Sequence, residues 1–572
     1  MNQPNPNSKG YEELLAEVRS GRIKIPQFQR EFVWERERSA KLLDSILKGY
    51  PIGTFILWKT KERLRAVRDI GGIKLPEPPE GDYTFQVLDG QQRLTSLFAS
   101  LEGAKVARGR DPKDKSAKDR VDDFGLITVD LSVDPDGDER VVYASPEELP
   151  AGHRHCTFKE LRTAEAFELN ERYDNDNALL KRFAGLKKRL TTYRFSTIEI
   201  ADVPLDVATE VFTRLNVGGR ELTVFEIMVA KTWDEAANFD LAAKAQAFNA
   251  TLEAKNFGEI SPIVLTQTVS ALARKSIKKV DILSMTRAEF IAGWSHAETA
   301  LKSAIDFCES DLAVPVRGLL PYERSLIPLA YYFSKHPYNP SGETKLRLVD
   351  LFFRIGLGER YSGPVETNIA QDLKVVDDIL AGRATSFDYG VATSADFILK
   401  NGQFRAGKAY IKTLLCVLAA AGPRSFRTGG KIQLGNTMLK HKNGRNYHHF
   451  FPTAFWEKHL KPTTYAVNHI GNITLVDGDL NRRSINARRP ADYLAEFRPQ
   501  NSEFVASMAT HYIDADGMGI ADNAYDAFLR QRCESLAQEL RKRIIPQAAD
   551  SDAPLSVRED EVEDDAPDSA ES

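Results

Sequence analysis

The hydrophobic period of this chain changes character twice, which no single repeated architecture accommodates. Up to about residue 235, short apolar runs of strand length alternate with helical periods. Thr54 to Trp58, Tyr83 to Leu88, Leu126 to Leu131 and Phe195 to Ile200 read as strands. Leu42, Leu43, Ile46 and Leu47 fall at helical spacing within Glu35 to Lys48, and Leu94, Leu97, Phe98 and Leu101 do so within Gln92 to Leu101. Further helices are expected from about Val207 to Leu215 and from Leu222 to Trp233, around the turn Asn216-Val217-Gly218-Gly219. Ile23 to Trp34, with Pro26, reads as extended, and the charged residues 103–123 as a mobile loop. From about 236 to 400 the strand signal fades, and Ala-, Leu- and Lys-rich amphipathic stretches predict an all-helical middle region. Residues 401–549 then bring an aromatic- and histidine-rich region. The expected fold class is α+β and multidomain.

Length supports the division, because 572 residues exceed the roughly 250–300 at which single cores stop growing. The expected parts are 1–235, 236–400, 401–549 and an acidic tail, 550–572. That tail holds ten acids and one base, a net of −9, so the −4 of the whole chain leaves +5 on residues 1–549. A mildly basic body suits a polyanionic partner, and the tail has too few large apolar residues to fold. The opening MNQPNPNSKG lacks the pattern of a secretory signal, and no apolar run reaches membrane-spanning length, so a cytoplasmic protein without membrane contact is expected. The four cysteines form no CxxC pair. Cys156 follows His153 and His155 in a string without further matching ligands, which reads as a polar loop.

Two strings carry chemistry. Tyr447-His448-His449-Phe450-Phe451-Pro452 is followed by Gly471-Asn472 before the apolar run Ile473 to Val476, and nine residues past Asn472 by Asn481-Arg482-Arg483. The spacing fits a His-bearing strand, a partner strand, a turn at 477–479 and a helix start. Phosphodiester hydrolysis needs a water deprotonated near neutral pH, which suits imidazole, and a cation against the developing charge. His441, His459 and His469 have no matched role and read as surface or supporting residues. The second string, Asp89-Gly90-Gln91-Gln92-Arg93, stands where a strand gives way to a helix. Gly90 permits close backbone approach, helix-start amides attract anions and Arg93 adds charge. From the residues alone, Asp89 either holds a cation or water, or only caps the helix.

The C-terminal string resembles the HNH nucleases, and more closely the HNH domain of GmrSD-type restriction enzymes. The resemblance implies a ββα-metal fold in which His449 is the general base, His448 and Asn481 are metal ligands, and Asn472 braces the loop that positions the base. Arg482 and Arg483, with Arg488 and Arg489 beyond, would contact DNA phosphates. Many members of the family carry an acid where this chain has His448, and neutral imidazole suits transition metals better than Mg²⁺. The divalent metal therefore stays open between Mn²⁺, Mg²⁺ and Ni²⁺. Ile25-Pro26-Gln27-Phe28-Gln29-Arg30, Trp34, the Asp89–Arg93 string and Phe212-x-Arg214-x-Asn216-x-x-Gly219 resemble the GmrS half of the same proteins. That implies a ParB/sulfiredoxin-like domain that binds and hydrolyses a nucleoside triphosphate (GTP, ATP or CTP). Asp89, Gly90, Gln91, Gln92, Arg93, Arg214 and Asn216 would surround the nucleotide, and Gln29 and Arg30 would face DNA.

Taken whole, the resemblance implies a metal-dependent DNA endonuclease of type IV-like restriction, active on modified phage DNA and assembled as a homodimer. The rival expectation is a non-catalytic, nucleotide-switched DNA-binding protein with a degenerate HNH fold. Sulfiredoxin-like redox chemistry is disfavoured, because no cysteine lies near Asp89–Arg93.

Overall fold

The computed structural model describes residues 5–26, 32–62, 64, 69–71, 73–79, 81–107, 121–215, 223–234, 237–435, 447–476, 485 and 487–552. They fall into two compact units, 1–241 and 242–572, mixed α/β and largely helical respectively, so the chain is α+β and multidomain. No helix among the described residues is long and apolar enough to cross a membrane.

The first unit is built on a mixed five-stranded sheet. Its strands are β1 (Asn5–Gly10), β2 (Ile23–Lys24), β3 (Phe55–Thr60), β4 (Thr84–Asp89) and, after a smaller three-stranded sheet, β8 (Arg194–Ala201). Their order is β1-β8-β3-β4-β2, with β8 parallel to β3, β2 parallel to β4, and the other neighbours antiparallel. Alternation along the strands divides two faces. Ile23, Phe55, Leu57, Val87 and Phe195 enter one core with the apolar stripes of α1 (Tyr11–Arg19), α2 (Arg36–Leu47), α3 (Gln91–Glu102) and α4 (Asn177–Thr192). Trp58 lies on the opposite face, fully buried, with Nε1 donating to the Val203 carbonyl at 3.1 Å just before α5 (Leu205–Leu215). The helix α6 (Val224–Thr232) follows, opened by a Thr223–Glu226 capping box.

The smaller sheet joins β5 (Thr128–Asp130), β6 (Val142–Tyr143) and β7 (His155–Thr157), in the order β6-β5-β7. It corrects the polar-loop reading around Cys156. The thiol is buried against Val129, and His153 Nδ1 lies 2.6 Å from the buried Asp130 carboxylate. Residues 105–107 and 121–123, at the two ends of the expected mobile loop, pair as antiparallel strands. The expected turn Asn216–Gly219 lies outside the described residues.

In the second unit, α8 (Arg287–Ser310) and α9 (Leu326–Lys335) pack together and on α7 (Pro262–Arg274). The helices α10 (Gly342–Leu357) and α11 (Val365–Leu380) add to this array, and α10 meets α13 (Ala409–Ala420) after the short α12 (Ala395–Asn401). An antiparallel hairpin of β9 (Tyr447–His449) and β10 (Ile473–Leu475) follows, then α14 (Pro490–Phe497) and α15 (Tyr525–Arg541), which packs on α12 and α13. Asp550, the first residue of the expected tail, is docked rather than free. Its carboxylate takes Arg354 in a two-pronged ion pair at 2.8 and 2.7 Å, and accepts from the Val391 amide at 3.0 Å.

Candidate functional site

The C-terminal hairpin forms where the sequence placed it. His448 faces Thr474 and His449 faces Ile473 across the two strands, and the Phe450 amide continues the ladder to the Asn472 carbonyl at 2.8 Å. Gly471 precedes Asn472 because there is no room for a side chain. A Cβ there would lie 2.8 Å from Cys533 Sγ and 2.9 Å from Leu529 Cδ1 on α15.

Asn472 is completely buried and its side chain is fully used. Its oxygen accepts from the Phe451 amide at 2.8 Å, and its nitrogen donates to the carbonyls of Phe451 and Val467, each at 3.0 Å. The residue thus grips the turn directly after the histidine pair, the geometry expected of a brace. Behind it stands Arg532 of α15, also completely buried. Its guanidinium donates to the carbonyls of Gly471 (2.7 Å), Ile473 (2.6 Å) and His511 (3.0 Å), and it has no carboxylate partner among the described residues. Burial lowers its pKa to about 10, so it stays charged at neutral pH.

Adjacent strand residues project to opposite sides, and the two histidines differ accordingly. His448 is 2% exposed, with the rings of Phe426 and Tyr493 edge-on at 6.3 and 6.4 Å. Its Nδ1 lies 2.9 Å from Thr474 Oγ1, and Nε2 has no partner among the described residues. Burial first, then the neighbouring His449, push its pKa down to about 3, so the ring is neutral over the physiological range. His449 is only half-buried, and its Nε2 lies 3.0 Å from Asn468 Oδ1. Burial lowers its pKa, and the hydrogen bond to Asn468 opposes that shift. A neutral ring with an accessible edge can take a proton from water.

A neutral imidazole whose buried Nε2 lacks a partner fits a metal ligand. Asn481 lies outside the described residues, as do Arg482 and Arg483, and among the described residues no three His, Cys, Asp or Glu side chains gather in one place. Arg488 and Arg489 are tied to Glu496 and Asp492, both at 2.7 Å.

Of the remaining histidines, His459 is exposed and His441 lies outside the described residues. His469, expected on the surface or in support, is buried. Its Nδ1 accepts from the Gly471 amide at 3.0 Å, and Nε2 lies 3.2 Å from the Leu399 carbonyl. His511 was not singled out by the sequence. It is buried against Phe426, with Nε2 2.8 Å from the Arg424 carbonyl. Burial pushes the pKa of His469 to about 4 and that of His511 to about 3.

Both rings fold neutral, whereas in the unfolded chain they bind a proton near pH 6.5. Between pH 6.5 and about 4 the unfolded state therefore holds more protons, and stability falls as pH falls, by up to roughly 1.4 kcal/mol per pH unit for each ring. Urea unfolding followed by tryptophan fluorescence should show a clearly lower midpoint at pH 5 than at pH 7. The buried carboxyls of Asp350 and Asp372, raised to about 6 by burial, act in the opposite sense, so the rings are tested by difference: a fall as large in a His469→Gln/His511→Gln protein as in the parent would contradict them.

In the first unit, β4 ends at Asp89 and α3 begins at Gln91, with Gly90 between them at φ 96°. Glycine is required there twice over, by the left-handed backbone and because a Cβ would lie 2.5 Å from the Phe55 ring. Asp89 does not cap the helix. Its carboxylate pairs with Arg93 at 2.8 Å, and Arg93 also donates to the carbonyls of Ile52 (2.7 Å) and Thr54 (3.1 Å). Gln92, buried, accepts from the amides of Val33 (2.9 Å) and Trp34 (3.3 Å) through its side-chain oxygen, and Gln91 is buried beside it. The string thus ties together the start of β3, the segment before α2 and the helix start. Arg214, at the end of α5, is exposed and paired with Glu210 at 2.6 Å. Gln29, Arg30 and Asn216 lie outside the described residues.

Asn468, Thr474, His511 and Arg532 are supporting residues the sequence reading missed. A signal existed for Arg532, which lies in helical phase with Phe528, Leu529, Cys533 and Leu536 on the buried stripe of α15.

A mixed sheet with helices on both faces and a strand–glycine–helix junction, in a chain that also carries a histidine hairpin, defines a multidomain α+β protein. Residues 11–233 match the family model of the GmrSD restriction endonuclease, N-terminal domain. The chain is also similar along its length to an uncharacterized protein of Methanocaldococcus jannaschii. The two are 22% identical over 605 residues, an overlap of 94% of this chain and 98% of the relative.

Proposed function

We propose that this protein is a metal-dependent DNA endonuclease controlled by a nucleotide-binding N-terminal unit. The observation that carries the reading is the coexistence of a match to the GmrSD restriction endonuclease N-terminal domain with a hairpin that carries His448 and His449 on one strand and Asn472 at the entry to the other. The N-terminal unit is read as ParB/sulfiredoxin-like and the hairpin as the strand pair of an HNH ββα fold. The first three parts of the sequence-based division, 1–235, 236–400 and 401–549, are read as sensor, helical spacer and nuclease.

His449, half-exposed, accepts the proton of the attacking water. Asn472 keeps the turn after it fixed on both sides of the Phe451 peptide. His448, neutral and with an Nε2 that has no partner among the described residues, would hold a divalent metal together with Asn481. When bound, the ion supplies positive charge against the charge that develops on the phosphate. Arg482 and Arg483 are assigned to phosphates flanking the scissile bond, and Gln29 and Arg30 to DNA near the sensor. Gly90 and the first amides of α3 form the cradle for a nucleoside triphosphate, with Asp89, Gln91, Gln92, Arg93, Arg214 and Asn216 around it. In this reading Arg93 exchanges its Asp89 partner for phosphate. The substrate class is modified phage DNA, the setting is cytoplasmic, and a homodimer supplies two sites for double-strand cleavage.

The test is nicking of supercoiled plasmid by purified protein with Mn²⁺, Mg²⁺ or Ni²⁺, on unmodified and phage-modified DNA, with and without nucleotides. Cutting that stops on chelation with EDTA is expected. A second reading, a non-catalytic DNA-binding switch, draws on the enclosure of His448 among aromatic rings, with no cluster of three metal-ligating side chains among the described residues. DNA binding without cutting under every condition would establish it instead.

A further inference from the structure

We propose that Asn468 is a positioning residue that holds His449 as its Nε2–H tautomer, so that Nδ1 is the nitrogen that receives the proton from water. The inference rests on the nuclease reading for its catalytic consequence, and on hydrogen-bond geometry alone for the tautomer.

The Phe404 carbonyl can only accept, and the Asn468 side-chain nitrogen lies 3.0 Å from it. That contact fixes the orientation of the amide, with its NH₂ toward Phe404. The atom 3.0 Å from His449 Nε2 is then the amide oxygen, which also can only accept. Nε2 therefore carries the proton. In a neutral ring the lone pair then lies on Nδ1, which makes no hydrogen bond among the described residues.

The support behind Asn468 is a set of backbone hydrogen bonds to the segment after α12. The Phe404 amide donates to the Asn468 carbonyl at 3.0 Å, the Ile470 amide donates to the Gly402 carbonyl at 2.7 Å, and Gln403 and His469 form a bridge between these contacts. The segment after α12 thus acts as a short edge against which Asn468 is registered. A base with its proton on the wrong nitrogen points a donor at the water it must deprotonate, so a fixed tautomer bears directly on the chemical step.

The test uses full-length protein labelled with ¹⁵N-histidine, with the His449 signals assigned by their loss in His449→Ala. At a pH where the ring is neutral, the wild type should show a pyrrole-like Nε2 and a pyridine-like Nδ1 at their limiting shifts. In Asn468→Leu these shifts should move toward the average of two exchanging tautomers. The kcat for plasmid nicking should fall roughly 10- to 100-fold at unchanged KM for DNA. Asn468→Asp, which keeps an acceptor facing His449, should restore the limiting shifts. A pyrrole-like Nδ1 in the wild type would overturn the proposal, as would a folded Asn468→Leu protein with wild-type shifts and wild-type kcat. The limiting Nε2–H pattern in a wild type that cuts no DNA would sustain the tautomer and count against the nuclease reading alone.

Discussion

His449→Ala is expected to slow DNA cleavage by roughly two to four orders of magnitude, the usual contribution of a positioned general base. The fold should survive. His449 is half-buried and, among the described residues, makes one side-chain hydrogen bond, at 3.0 Å to Asn468, whose other bonds run to Phe404. The backbone ladder opposite Ile473 is untouched by the change. Loss of activity with a near-unchanged melting temperature therefore separates a chemical role from a structural one. The measurement is the single-turnover nicking rate with saturating divalent metal, beside thermal unfolding. A His449→Ala protein that cuts as fast as the parent removes the assignment of the base. An equal loss in His448→Ala would not be comparable evidence, because His448 is enclosed by Phe426 and Tyr493 and its removal opens a cavity.

Much of this arrangement was legible in the sequence, for identifiable reasons. The strands β3, β4 and β8 are apolar runs bounded by Gly, Asp or Pro, and α2 and α3 show clean helical stripes, so their periods are local properties. The hairpin was legible because Tyr447–Phe451 and Ile473–Leu475 are strand-like and the Gly471-Asn472 pair marks the bend. β1 was not, since Asn-Pro-Asn-Ser-Lys-Gly has no apolar alternation. It is an edge strand held by backbone pairing to β8, with most of its side chains exposed. The supporting residues around the histidines were hidden for a different reason. Asn468 meets Phe404 and Asn472 meets Phe451 across loops whose register no local period encodes. At the N-terminal junction the residue types were read as an anion cradle, yet Arg93 directs its donors to Ile52, Thr54 and Asp89, a use visible only in three dimensions.

Arg532→Met is expected to destabilise the second unit by about 3–5 kcal/mol, the cost of three buried carbonyls losing their donor less the relieved burial of the charge. The opposing effect is real. Burying a lone guanidinium is unfavourable, as its pKa lowered to about 10 records, and an apolar side chain of similar length relieves that cost. The decision lies with what remains. The carbonyls of Gly471, Ile473 and His511 converge on the guanidinium, and methionine leaves them facing apolar surface, at about 1–3 kcal/mol for each that finds no water. Two of those carbonyls flank Asn472, so loosening them also frees the brace on the turn after His449. Arg532→Lys keeps the charge but loses the planar fork that reaches three acceptors, and should fall between the parent and the methionine protein. Calorimetry should show the transition of the second unit moved down by roughly 10 °C or more in Arg532→Met. Hydrogen exchange at the Phe450 and Phe451 amides should accelerate beyond the change in global stability, because both amides are held by Asn472. An unchanged transition would mean that the relieved burial cost offsets all three lost bonds. Unchanged exchange at those two amides would mean that Asn472 holds the turn without Arg532 behind it.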